Sequence, residues 1–137
     1  MTRGLRNNNP LNIRRVAGTK WKGQRTEQTD KSFVQFESLE WGIRAAFCIL
    51  DTYRRKYQDV CIEDIINRWA PPSENDTRKY VETVCWLTGF GGKERLEESQ
   101  LPALVCAMAF VECGAPISKE TINKAYSLYV KLKSNSK

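Results

Sequence analysis

The sequence predicts a mostly helical α+β fold, and two contrasting halves carry that expectation. From Ser38 onward, apolar residues recur at three- and four-residue spacing in successive runs separated by Pro and Gly. Before Glu37 that periodicity is missing. The turn-forming NNNP and the glycines Gly18 and Gly23 instead flank two short β-like runs, LNIRR and SFVQF. The reading is one domain, 1–137, with a small β lobe of two or three strands at 1–37 and five or six helices at 38–133.

Each helix has its own start and stop. Ser38 is suited to cap a long helix to about Tyr57, with Ile43, Ala46, Phe47 and Leu50 on its apolar face. Glu37 just before the cap reads as a charge favoured by the helix dipole. Ile62, Ile65, Ile66 and Trp69 define a short helix stopped by Pro71-Pro72. Asn75, Asp76 or Thr77 opens the next, which turns Tyr80, Val81, Val84 and Leu87 inward and ends at Gly89. Phe90-Gly91-Gly92 is a break. Pro102 suits the first turn of the following helix and Gly114 its stop. Ser118 then caps a last helix carrying Ile122, Ala125, Tyr126 and Tyr129, with a frayed tail expected at Ser134–Lys137.

The fifth of these, LPALVCAMAFVECG, is apolar all round except for Glu112. Such a helix is normally buried in the middle of a domain. Glu112 lies four residues after Met108, on the face shared with Leu101, Leu104 and Val105. Burial and the negative end of the helix dipole both disfavour its ionised form. A carboxyl that keeps its proton near neutral pH is what general acid catalysis needs. The competing interpretation is that Glu112 marks where the helix reaches solvent.

Composition narrows the chemistry. No histidine occurs, which excludes histidine metal sites, Ser-His triads and Cys-His dyads. Proton transfer must fall mainly to Asp, Glu, Tyr or Lys. No cofactor and no metal is implied. Five cysteines, an odd count without a CxxC pair, argue for folding as free thiols in a reducing compartment. Cys106 and Cys113 are seven apart on one helix, about 10 Å by helical rise and too far to bridge. The net charge of +6 favours an anionic partner, yet the basic residues are spread in modest clusters with no aromatic-interleaved stripe. That favours a solvated basic surface over a nucleic-acid site. There is no apolar run of membrane-spanning length, and MTRGLRNNNP is not a signal peptide.

Three segments together resemble a known group. NNNPLNIR, TKWKGQ and FVQFESLEWGIRAAF are similar in order to the β-lobe region of flagellar-type glucosaminidases. RWAPPSENDTRKY resembles their later proline turn and tyrosine-bearing helix. LVCAMAFVECG resembles the helix on which they and the related lytic transglycosylases present a catalytic glutamate before Ser-Gly, here Cys-Gly. In those enzymes the glutamate helix comes first, whereas here it comes last, which implies a circularly permuted lysozyme-like domain. The N-terminal motif is also similar to that of small phage and prophage proteins.

The resemblance implies a peptidoglycan glycosidase or lytic transglycosylase with Glu112 as the general acid. It places the second acid after WKG, at Glu27, with Asp30 as the alternate. It makes Tyr80 a cleft tyrosine, and Trp21 is suited to stack on a sugar. For Glu27 and Asp30 the competing reading is a polar turn, for Tyr80 a core aromatic, and for Trp21 closure of the small lobe. Asn8, Asn9 and Asn12 are expected to make turn hydrogen bonds, with the cleft at their border. The partners expected are peptidoglycan glycan strands and the proteins of a phage particle, not nucleic acid or membrane. Synthesis in the bacterial cytoplasm and action at the wall or within a particle follow. The alternative is a non-catalytic phage structural or wall-binding protein that keeps the lysozyme-like fold, and a small basic nucleic-acid-binding protein is the remaining competitor.

Overall fold

A computed structural model of the chain describes residues 1–73 and 75–135. It is mostly helical, with helices α1 (Arg3–Arg6), α2 (Leu39–Tyr57), α3 (Ile62–Trp69), α4 (Thr77–Thr88), α5 (Leu101–Cys113) and α6 (Lys119–Asn135), and a 3-10 turn at Glu98–Gln100 before α5. The helix ends follow from their caps. Ser38 Oγ accepts the Trp41 N–H at 3.3 Å, Asp76 accepts that of Lys79 at 3.2 Å, and Ser118 accepts that of Thr121 at 3.1 Å. Gly89 and Gly114 close α4 and α5 in left-handed conformations. Helix α6 continues to Asn135, past the expected start of fraying at Ser134; positions 136 and 137 lie outside the described residues.

Helix α5 is the centre of the packing. Leu104, Val105, Ala107, Met108, Ala109 and Cys113 are buried, and α1, α2, α4 and α6 all rest on it. Helix α6 lies along α2, where Phe47 meets Tyr126 edge-on and stacks with Tyr129 at centroid separations of 5.0 and 5.8 Å. Tyr53 and Trp69 join α2 to α3 in the same way, 6.3 Å apart. All five cysteines are free thiols, and burial pushes those of Cys48, Cys61, Cys85 and Cys106 upward, which makes them poor nucleophiles. Among the described residues no helix is long and apolar enough to cross a membrane.

The N-terminal segment departs from the β lobe of two or three strands. Among the described residues it contains helix α1 and two isolated antiparallel bridges, Arg14 with Phe33 and Gln24 with Phe36. The physical reason is that side-chain amides take the place of a ladder. Fully buried Asn9 donates to the carbonyls of Ile13 (3.0 Å) and Val34 (2.8 Å) and accepts the Ile13 N–H at 2.9 Å. Gln28 donates to the Arg25 and Gln35 carbonyls and accepts the Gln35 N–H. Each backbone group satisfied in this way needs no neighbouring strand.

This segment is pressed against α2 at one glycine. A Cβ on Gly42 would overlap the Asn8 carbonyl oxygen, a backbone atom that can retreat only by shifting the whole turn. Gly42→Ala is therefore expected to cost about 1–3 kcal/mol, the usual penalty for overpacking. Urea unfolding measures it, and an unchanged midpoint would show that the turn yields freely.

Candidate active site

The last turn of α5 places Glu112 where the buried helix emerges beside the N-terminal segment. Its carboxyl is partly buried and held from both sides. The Tyr80 hydroxyl on α4 donates to Oε2 at 2.9 Å, and Asn12 Nδ2 donates to Oε1 at 3.3 Å. The same Asn12 amide donates to the Glu112 backbone carbonyl at 3.1 Å, one of the acceptors a helix C-terminus leaves without an internal partner. Asn12 reaches this position with φ of 52°, a left-handed backbone that asparagine tolerates better than most residues.

Burial dominates the electrostatics of Glu112 and pushes its carboxyl above the ordinary glutamate value. The donors Tyr80, Asn12 and Trp69 and the charge of Arg14 pull the other way without overcoming it. Burial, then the neighbouring Glu112, drives the Tyr80 phenol far upward. Tyr80 therefore remains a hydroxyl donor across the physiological range.

Glu112 opens onto a groove of about 690 Å³. Asn12, Arg14, Thr19, Trp21 and Phe33 of the N-terminal segment line one side. Tyr53 of α2, Trp69 at the end of α3, and Pro71 and Asn75 in the loop that follows line the other. Glu112 is the one carboxylate among the described residues lining it. Two indoles and a phenol around one carboxyl that burial makes harder to ionise form a surface suited to sugar rings, whose C–H faces stack on aromatics while their hydroxyls meet polar groups.

The residues singled out from the sequence are distributed unevenly around this groove. Glu112 and Trp21 line it. Tyr80 is buried behind Glu112, outside the groove lining, so its contact is with the acid. Glu27 is exposed and does not line the groove. Asp30 is also outside it. Arg3 binds both Asp30 oxygens at 2.7 Å, Asn7 donates to Oδ2, and the Ser32 and Phe33 N–H groups donate to Oδ1. These donors, Arg3 first, hold its carboxyl well below the usual range. Asp30 thus organises its loop. Of the expected turn hydrogen bonds only those of Asn9 with Ile13 are local; Asn9 also reaches Val34, Asn8 reaches the Phe36 carbonyl 28 positions on, and Asn12 holds the acid itself. Sequence reasoning missed Arg14, Tyr53, Trp69 and Asn75. For Trp69 a signal was present, since an indole on the last turn of an amphipathic helix before two prolines is held at an edge.

No family model matches the chain. It is similar to Protein P5 of Pseudoalteromonas phage PM2, with 42% identity over 127 residues that cover 90% of this chain and 79% of that protein. Identity of that degree across nine-tenths of the sequence shows common descent, and the chain belongs to the family of this phage protein.

Proposed function

We propose that this protein cleaves the glycan strand of peptidoglycan, with Glu112 as the general acid, on a circularly permuted lysozyme-like arrangement of the helices. The observation that carries the reading is the Glu112 carboxyl, kept above its ordinary pKa by burial, gripped by Tyr80 and Asn12, and facing a groove walled by Trp21, Trp69 and Tyr53. Glu112 donates its proton to the glycosidic oxygen as the bond from that oxygen to the anomeric carbon breaks, and positive charge develops on the ring. The resulting carboxylate then takes a proton from the incoming nucleophile. Glu112 can serve first as acid and then as base, a route that needs only this one carboxyl. The nucleophile is either water or a hydroxyl of the sugar itself.

Kinship with a phage protein accords with a wall-directed role, because a phage must breach the wall to enter or leave its host. The net charge of +6 favours approach to an anionic polymer. The test is turbidity loss of purified sacculi, followed by mass spectrometry of the products. An anhydro end identifies attack by the sugar's own hydroxyl. A reducing end, heavier by one water, identifies hydrolysis. Failure to cleave several peptidoglycan types would favour the alternative of a wall-binding or structural particle protein.

A further inference from the structure

Resting on the glycan-strand reading, we propose that Arg14 forms a subsite for a carboxylate carried by the strand, such as the free carboxylates of the stem peptides, and so makes the groove selective for the acidic polymer. Arg14 lines the groove with Glu112 and is the one cation among its described lining residues. Its guanidinium has no hydrogen-bond or ion-pair partner among the described residues. Asp30, on the facing loop, is fully committed to Arg3, Asn7 and two backbone N–H groups. Arg15, the next residue, gives a guanidinium N–H to the Asp30 carbonyl at 2.8 Å. Glu112 is influenced by the charge of Arg14 but makes no ion pair with it.

Arg14 is nonetheless held in place. Its backbone pairs with that of Phe33, and its guanidinium lies over the Phe33 ring, 5.1 Å from the centroid. Over the ring the exposed guanidinium keeps its N–H donors available, and that planar fork matches a carboxylate through two parallel hydrogen bonds. Neutral sugar hydroxyls cannot use that charge. Arg14 is the one cation of the described lining, so an anionic substituent is drawn to it beside the acid.

The test separates binding from turnover. Glu112→Gln, which should not cleave, is sedimented with sacculi free of phosphate polymers, either native or with their carboxylates converted to amides. The same measurement is repeated with Arg14→Gln and Arg14→Lys added. Loss of a charge-assisted pair is expected to weaken binding to native sacculi about ten- to a hundred-fold for Arg14→Gln. Amidated sacculi should bind the Arg14-containing protein just as weakly, and the two losses should not add. Arg14→Lys should recover part of the affinity, since it keeps the charge without the fork. Equal binding to native and amidated sacculi by the Arg14-containing protein would overturn the subsite, as would an equal loss on both for Arg14→Gln. Either result leaves the glycan reading standing if the wild type cleaves. A protein that neither binds nor cleaves sacculi would overturn both. Melting of each variant, measured in parallel, guards against loss of fold.

Discussion

Glu112→Gln is expected to fold normally and to lose about a hundred- to ten-thousand-fold in wall cleavage, the range that a general acid contributes. The amide fits the same space. Its oxygen can accept from Asn12, and its NH₂ can donate to the Tyr80 oxygen, which has lone pairs to receive it. What is lost is the proton. The stability consequence has a definite sign. Burial raises the folded-state pKa of Glu112 above its unfolded value, so the native protein holds this proton more tightly. That contribution is fully present below the unfolded pKa, which is ordinarily about 4.3, and is lost as pH rises through the raised folded value. The glutamine variant lacks the slope. Its stability relative to wild type should therefore grow over that window and then level off. Urea unfolding across a pH series, with turbidity assays on the same preparations, checks both halves. A folded variant with full activity would remove Glu112 from the mechanism.

How much of this was legible in the sequence depended on the distance over which each signal acts. Helix α5 was readable to its ends because an uncharged apolar run, an early proline and a closing glycine are all local, and a helix apolar all round has no face to give to water. The caps at Ser38 and Ser118 were local too, and Asp76 was one of three adjacent candidates. The N-terminal β lobe was misread because alternation in LNIRR and SFVQF signals extended chain, while pairing depends on what satisfies the backbone. Here Asn9, Gln28 and Gln35 do so from their side chains. The α1 helix escaped notice because four residues carry no periodicity. The same limit governs the site. Tyr80 could be placed on an inward stripe, but its bond to Glu112 spans 32 positions and that of Asn12 spans 100, so neither could be read from spacing. Locating a second acid by its place after WKG led to Glu27 and Asp30. Loop length decides where such residues fall, and in this chain Arg3 binds Asp30 while Glu27 faces solvent.

The Asn12 contact gives the second large expected effect. Asn12→Asp keeps the side-chain shape and the tolerance for a left-handed backbone, yet replaces the donor NH₂ with an acceptor oxygen beside Glu112 Oε1, a position now 3.3 Å away. Two carboxylates at that separation in a partly buried site cannot both ionise easily, so the pair should retain one proton and titrate as a unit with a raised apparent pKa. The unfolded chain has ordinary carboxyls near pH 4, so the native variant binds more protons than the unfolded one above that point. Its stability should fall relative to wild type as pH rises from about 4 through the pair's raised value. At about 1.4 kcal/mol per unit, a two-unit shift would cost about 2.7 kcal/mol. Cleavage should fall as well, by about a hundredfold, because the Glu112 carboxyl and the helix-end carbonyl both lose the donor that orients them. Asn12→Gly is the control, since it removes the donor and keeps the backbone conformation without adding a charge. Its stability deficit should grow with pH less steeply than that of Asn12→Asp, because losing the donor lets the Glu112 pKa rise further but adds no second carboxyl. Urea midpoints at pH 4 and pH 8 for the three proteins distinguish the cases. If the Asn12→Asp deficit is the same at both, the two carboxyls do not share a proton, and Asn12 acts on the fold rather than on the acid.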